Sequence, residues 1–307
     1  MSKTSKSILL ATVFSLAASG LALAADIGVK APLPAPAPVY NWTGWYVGGN
    51  LGVSLGTFKT DFNASGTSAK NTLSAAQTAA VAGSGFDEVY PAGFIGGGQA
   101  GFNWQLSPLW VVGAEADFQG ADEKQHSTPT FGTSGPVFIF DVPIFTVHGT
   151  AAFDYTAKIE WFGTARLRAG YLFGDGAVLT YVTGGLAYGK VDVAGTSTLT
   201  DPLGNLPSIT QAFDHSNVNT GWVVGSGTEG KLANFPGWTY RIEGLYMDLG
   251  HLDATGPGGS ASTTFVLAGS CPTLCITQHF ALNAGPVHTH THFTDTILRA
   301  GLNYQFH

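Results

Sequence analysis

The chain is short of charge. Lys and Arg together number 13 and Asp and Glu 20 among 307 residues, and arginine occurs only at Arg166, Arg168, Arg241 and Arg299. The balance is −7, and −9 without Lys3 and Lys6, which sets nucleic acid aside as a partner because the phosphate backbone recruits cations. Past residue 24 no stretch reaches the roughly 18 consecutive apolar residues of a membrane helix. There are only two cysteines, Cys271 and Cys275, in a CPTLC segment. The redox motif C-x-x-C beside a βαβ unit is excluded by that spacing, and a disulfide pinning a loop is the simplest reading. In place of charge there are 42 Gly, 20 Phe, 10 Tyr and 7 Trp. This mixture suits closely packed strands, and it also suits a surface that faces lipid.

The N-terminus has its own logic. Lys3 and Lys6 precede an apolar run that ends in Ala22-Leu23-Ala24. Residues 1–24 read as a cleaved signal peptide, so the mature chain starts at Ala25 outside the cytoplasm. Within 25–41 the stretch APLPAPAP places proline at alternate positions and favours extended polyproline II, which makes this segment a periplasmic linker. Residues 42–307 remain for one domain.

Period-two alternation marks eight strands there, at about 45–56, 93–104, 110–119, 158–171, 177–191, 220–232, 238–249 and 294–306. Each suffices for the ~9 to 11 residues of a tilted transmembrane strand. Connections alternate strictly: short turns at 105–109, around Gly174-Asp175-Gly176 and at 233–237, and long segments between the other pairs. Such sorting places all short turns on one side and all long loops on the other. The expected fold is therefore all-β: an eight-stranded antiparallel up-and-down transmembrane β-barrel with three short periplasmic turns and four long extracellular loops. The segment FIFDVPIFTV at 138–147 is apolar enough for a further strand, but Pro143 argues for a loop or hairpin above the membrane.

Two aromatic belts follow from this topology. Trp45, Trp104, Trp110, Tyr171, Phe173, Trp238, Tyr240, Tyr304 and Phe306 fall at the short-turn ends, and Phe118, Trp161, Tyr188, Trp222 and Tyr246 lie nearer the long loops. All four arginines sit inside strands, opposite in parity to their apolar neighbours. An arginine on lipid at mid-depth costs ~2 to 4 kcal/mol, so all four must point inward. Glu115, Asp117, Glu229 and Glu243 share the inward parity. A charged network of Glu115, Asp117, Arg166, Arg168, Glu229, Arg241, Glu243 and Arg299 is thus expected to plug a lumen just wide enough for side chains.

Other candidate sites are weaker. Gly96-x-Gly98-x-x-Gly101 matches a dinucleotide fingerprint, yet it lies within a strand, where glycine serves bending. No histidine is bracketed by a nucleophile and an orienting acid, so no catalysis is expected. His288, His290 and His292 alternate along the last strand in VHTHTHFTDTILRAGLNYQFH. The first and third are ~13 Å apart on a straight strand, too far for one metal ion, so at most two could ligate with help from His251, His279 or a carboxylate. Their parity is that of the lipid-facing set, and they fall beyond the ~10 or 11 residues that cross a ~25 Å apolar band, on the outer wall above the bilayer.

Taken together, APLPAPAPVYNWTGWYVGGNLG, GGGQAGFNWQ, WVVGAEADFQG, WFGTARLRAGYLF, YVTGGLAYG, YRIEGLYMDLG and LRAGLNYQF resemble the small outer-membrane β-barrel proteins of alphaproteobacteria, the porin-family or OmpA-like transmembrane barrels. The resemblance spans all eight strands and not the long loops. It implies an abundant Gram-negative outer-membrane protein that supports envelope integrity, inserted by the barrel-assembly machinery among outer-membrane lipid and lipopolysaccharide, with exposed antigenic loops. No cofactor is implied, although some relatives bind hemin, so hemin or a divalent metal at the histidines is the alternative function, with a low-conductance porin as another. It also implies a covalent peptidoglycan link at an Ala-Asp start, here Ala25 and Asp26. The one departure is His307, which follows the final aromatic Phe306.

Overall fold

The computed structural model describes residues 40–71, 76–139, 142–201, 208–267 and 276–306. Ala25, Asp26, Cys271, Cys275 and His307, with the signal peptide and most of the linker, lie outside the described residues. Every element in them is an antiparallel strand: β1 Gly44–Asn71, β2 Ala76–Val89, β3 Ala92–Gln105, β4 Trp110–Ser127, β5 Thr130–Ile139, β6 Val142–Phe173, β7 Val178–Leu199, β8 Ile209–Lys231, β9 Trp238–Gly256, β10 Gly259–Leu267, β11 Ile276–Ala284 and β12 Val287–Gln305. Ladders run in a circuit through β1, β3, β4, β6, β7, β8, β9 and β12, and β1 closes it by pairing with both ends: Tyr46 faces Gly101 on β3 and Gln305 on β12. A closed ladder leaves no unpaired strand edge.

The sequence pattern predicts eight strands, and twelve are found among the described residues. The added strands, β2, β5, β10 and β11, occupy segments expected to be long loops. There the parent strands run on past their expected ends, β1 to Asn71 and β6 back to Val142, and hairpin partners add to them. The physical reason is hydrogen bonding. A chain leaving a barrel rim still has to satisfy its N–H and C=O groups, and extending the ladder does so without help from side chains. Within the segment 138–147 the described residues belong to β5 and β6, which pair with Phe138 opposite Pro143 and a register shift at Val137/Phe138.

Inside and outside exchange character along the strands. In the half nearer the short turns the outer face is apolar, with Val47, Leu51, Val53, Phe94, Leu167, Val182, Leu186, Ile242, Leu298 and Leu302 exposed, while the interior is polar. In the extended half the outer face carries Lys59, Asp61, Asn63, His288 and His290, and the interior is an apolar column that includes Phe58, Phe62, Phe153, Ile159, Phe162, Leu245, Met247, Leu249, Phe293 and Ile297. This column explains why Leu245, Met247 and Leu249 resist a polar-inside assignment. Bulges at Gly120/Glu123, Ile159/Trp161 and Phe293/Thr294 lie near the change-over, where a barrel rim bends.

The short-turn mouth is stoppered by the chain's own start. Trp42 is fully buried with Val111, Leu172, Leu179 and Tyr181, and its indole N–H donates to the Gly176 carbonyl at 2.9 Å. Tyr40 donates to Gln305 at 2.5 Å and lies 3.7 Å beneath the Lys231 ammonium. Tyr40 and Asn41, assigned to the linker from composition, thus pack at the barrel mouth, because aromatic rings at a strand entrance bury more surface than they would in an extended spacer.

Candidate functional site

All eight charged residues expected in the lumen are buried there, each at most 6% exposed. They come from five strands, β4, β6, β8, β9 and β12, and meet in one network. Arg166 reaches Asp117 at 2.9 Å and Glu243 at 3.1 Å and also bonds Glu115. Arg299 reaches Glu243 at 2.6 Å and Asp117 at 2.8 Å, Arg168 reaches Glu229 at 3.1 Å, and Arg241 bonds Glu115. Four cations and four carboxylates are balanced, which is the condition under which buried ions are tolerated.

Neutral groups complete the shell. Tyr46 donates to Glu115 at 2.6 Å and Tyr181 to Glu243 at 2.9 Å, and both rings lie within about 5 Å of the Arg168 guanidinium, at 4.6 and 5.1 Å. Asn303 donates to Glu229 at 2.8 Å and accepts from Gln99 at 2.7 Å. Sequence parity puts Asn303 on the inward face with Arg299 but does not select Tyr46, Tyr181 or Gln99, since polar and aromatic residues occupy both faces. Glycine makes the crowding feasible: a Cβ on Gly52 would stand 2.7 Å from that of Arg299. Gly101, the last glycine of the fingerprint-like triplet, lies directly against the Tyr46 ring. That triplet therefore serves side-chain packing in a strand.

Beyond this network, just past the apolar band, Ser54 bridges two buried carboxyls: it bonds Glu123 and donates to Asp295 at 2.6 Å. Burial and the Asp295 charge push the Glu123 carboxyl well above the ordinary carboxylate range, and burial raises Asp295 as well. Two carboxyls buried this close together oppose ionisation of both.

The aromatic belts are in place. On the short-turn side Trp45 packs on Phe102, Trp110 on Tyr171, Tyr171 on Phe173, Trp238 on Tyr304 and Tyr304 on Phe306, with centroids 4.9 to 5.5 Å apart. On the other side Phe118 packs on Trp161 and Trp222 on Tyr246, at 5.4 and 5.5 Å. Rings from neighbouring strands thus join into two girdles around an apolar band, the surface a bilayer requires.

The family model described as outer membrane protein beta-barrel domain matches residues 9–269. The chain belongs to that family. It is accordingly a protein of the outer membrane. The 31 kDa outer-membrane immunogenic proteins of Brucella melitensis biotype 1 and Brucella suis biovar 1 are each 36% identical to it over 248 residues, 80% of this chain and 88% of theirs. Among solved structures it aligns with the outer membrane protease OmpT of Escherichia coli (TM-score 0.30, 11% identity, 84% of this chain and 97% of that one). It also aligns with OprG of Pseudomonas aeruginosa (TM-score 0.28, 12% identity, 86% and 97%).

Within this family member the histidines stand on the water-facing wall. His288 and His290 are exposed and His292 half-buried, all on the outer face of β12. The three do not meet at one point. His288 pairs with Thr255 through Nδ1 at 3.2 Å, and the neighbour of His290 and His292 is instead His251 on β9, whose ring stacks on both at 4.3 Å. Desolvation and the two facing imidazoles hold His251 below the usual histidine range. His251 is one of the helpers expected from the sequence, although residue parity counted from Arg241 and Glu243 would send it into the lumen. His279, another helper considered for the ligand set, pairs with Thr264 at 3.1 Å on the β10–β11 hairpin.

Proposed function

We propose that this outer-membrane protein is a non-catalytic structural barrel supporting envelope integrity, and that its extracellular hairpins are surface antigens. The closed lumen carries the reading. Its three tiers are the Trp42 stopper, the balanced ion network and the apolar column, and each fills the cross-section with side chains. The eight strands of the closed circuit form the membrane-spanning part. The turns at 106–109, 174–177 and 232–237 face the periplasm and four long excursions face outward, which is supported by the girdle positions. The antigen assignment is supported by the 36% identity to proteins whose names call them immunogenic. Insertion by the barrel-assembly machinery, contact with lipopolysaccharide, and a peptidoglycan link at Ala25-Asp26 of a signal-processed chain belong to the same proposal. That link would tie the envelope layers together from the periplasmic side.

A deletion strain tests it together with planar-bilayer recording. Loss of the protein should increase detergent sensitivity and leakage of a periplasmic reporter, and the purified barrel should show no steady stepwise openings. Large stable openings, or an unaltered envelope in the deletion strain, would refute the structural reading.

A further inference from the structure

Above the outer girdle the barrel wall faces water, and one patch of it concentrates imidazole nitrogen. On β12, His290 and His292 stand two residues apart on the same face, a spacing of ~6.6 Å. On the neighbouring strand β9, His251 is directly opposite His292 in the ladder and diagonal to His290. Opposed Cβ atoms in such pairs are ~4.5 to 5.5 Å apart, so the three side chains root in one small triangle.

A bulge brings the third member there. Phe293 pairs with Gly250 and Thr294 with Asp248, so Leu249 is an extra residue on β9. Gly250 takes φ +72°, the left-handed conformation that glycine supplies in this kind of bulge. Leu249 remains in the lumen with Leu245 and Met247, and the parity of everything after it is reversed. His251 therefore points outward beside His292.

Two carboxylates orient the patch. His290 Nδ1 contacts Asp253 at 2.5 Å and His292 Nε2 contacts Asp248 at 3.0 Å, and the same Asp248 oxygen accepts the Gly250 N–H at 2.8 Å. A metal-bound histidine commonly donates its second ring N–H to a carboxylate, which fixes the tautomer and leaves the other nitrogen for the ion. Here that leaves Nε2 of His290 and Nδ1 of His292. Asp61 pairs with His290 from β1, adding to the local negative charge, while Lys59 opposite His292 is drawn to Glu88 at 3.5 Å. A groove of about 580 Å³, lined in part by Asp61, Phe86, Asp253, His288 and His290, opens beside the patch.

We propose that His251, His290 and His292 form a binding site for a divalent metal ion of the zinc, nickel or copper class on the outer wall of the barrel, oriented by Asp248 and Asp253. Three imidazoles suit these borderline ions, and with metal–nitrogen bonds of ~2.0 to 2.1 Å they leave a fourth position for water. In this structure the rings are stacked, and among the described residues no three His, Cys, Asp or Glu side chains already converge on a point. Capture therefore turns the rings about χ1 and χ2, a motion that exposed side chains make on the picosecond to nanosecond scale. His288 lies ~13 Å along the strand from His292 and takes no part.

The test uses the untagged full-length barrel in detergent micelles, titrated calorimetrically with Zn²⁺ and followed by electron paramagnetic resonance with Cu²⁺. One ion should bind per chain, with nitrogen hyperfine coupling from three imidazoles. His251→Ala and the double variant His290→Ala/His292→Ala should each weaken binding at least ~10-fold, and His251→Ala should lose one coupled nitrogen. His288→Ala should bind as the parent does. All these side chains are on the outer wall, and heat-modifiable gel migration checks that each variant is folded. The site is overturned if the parent barrel binds no Zn²⁺, if His251→Ala binds as tightly as the parent, or if His288→Ala loses as much affinity as the double variant.

Discussion

Removing Arg299 tests how the lumen is held together. Its Nε and Nη2 both bond Glu243, at 2.8 and 2.6 Å, and Nη2 also bonds Asp117 at 2.8 Å. In Arg299→Leu, Asp117 keeps only Arg166, at 2.9 Å, and Glu243 keeps Arg166 at 3.1 Å with Arg241 at 3.7 Å. Four carboxylates then face three guanidinium groups in a space without bulk water. Leaving a buried charge uncompensated costs ~3 to 5 kcal/mol, whereas an exposed pair is worth ~0 to 1 kcal/mol. Glu243→Leu should cost a similar amount with the opposite sign of imbalance. The double variant restores neutrality, so its loss should fall short of the sum of the single losses by ~2 kcal/mol or more, at the upper end of contact couplings. The measurement is equilibrium urea unfolding of the barrel in lipid vesicles, followed by tryptophan fluorescence. Additive losses, or a single-variant loss below ~1 kcal/mol, would show that the ions are separately solvated and that the lumen is not a plugged network.

Two further outcomes follow from the ends of the lumen. Glu123 and Asp295 carry raised folded-state values, so the folded barrel binds more protons than the unfolded chain; their contribution is intact below the ordinary carboxylate range and is lost as pH rises through the raised values. Glu123→Gln should flatten that decline between about pH 5 and about pH 8 in the same unfolding assay, and parallel curves for variant and parent would contradict the upward shift at Glu123. Trp42→Ala empties the stopper at the periplasmic mouth and should cost ~3 to 5 kcal/mol, yet bilayer recordings should stay silent because the ion network still fills the section above. Steady openings in that variant would make Trp42 the gate.

Much of the transmembrane part is legible in the sequence because bilayer physics writes it twice, once in parity and once in the girdles. The four arginines could face only inward, and Trp45, Trp110, Trp238 and Phe306 could belong only near an interface. The extracellular part is illegible for the converse reason. Segments such as NASGTSAKN in β1 and AQTAAVAGSG in β2 are poor in large apolar residues, and what makes them strands is the ladder they continue. At Leu245, Met247 and Leu249 the parity is inward throughout, but the interior turns from polar to apolar past the girdle. His251 could be named as a helper from the sequence, but its outward direction could not, since the Leu249-Gly250 bulge reverses every later assignment on β9. Parity speaks only to which face the ionic residues take; which carboxylate meets which guanidinium, and that Tyr46, Tyr181 and Gln99 join them, depends on the stagger of neighbouring strands, which parity does not encode.

The exchange of inside and outside character along β1 and β12 also fixes how high the molecule rides. Raising the barrel by one pair of residues would bring Leu55 or Leu298 toward the outer headgroups, and lowering it would draw Lys59 and Asp61 toward hydrocarbon, each at a cost of kilocalories per mole. Height is therefore set by the wall itself, independent of any loop partner. From Leu55 to Asn71 the ladder of β1 continues for roughly 50 to 55 Å of strand length at ~3.3 Å per residue. A hydrogen-bonded mast of that length carries the paired strands of its hairpins well past the apolar band, with backbone ladders and not side chains as its frame.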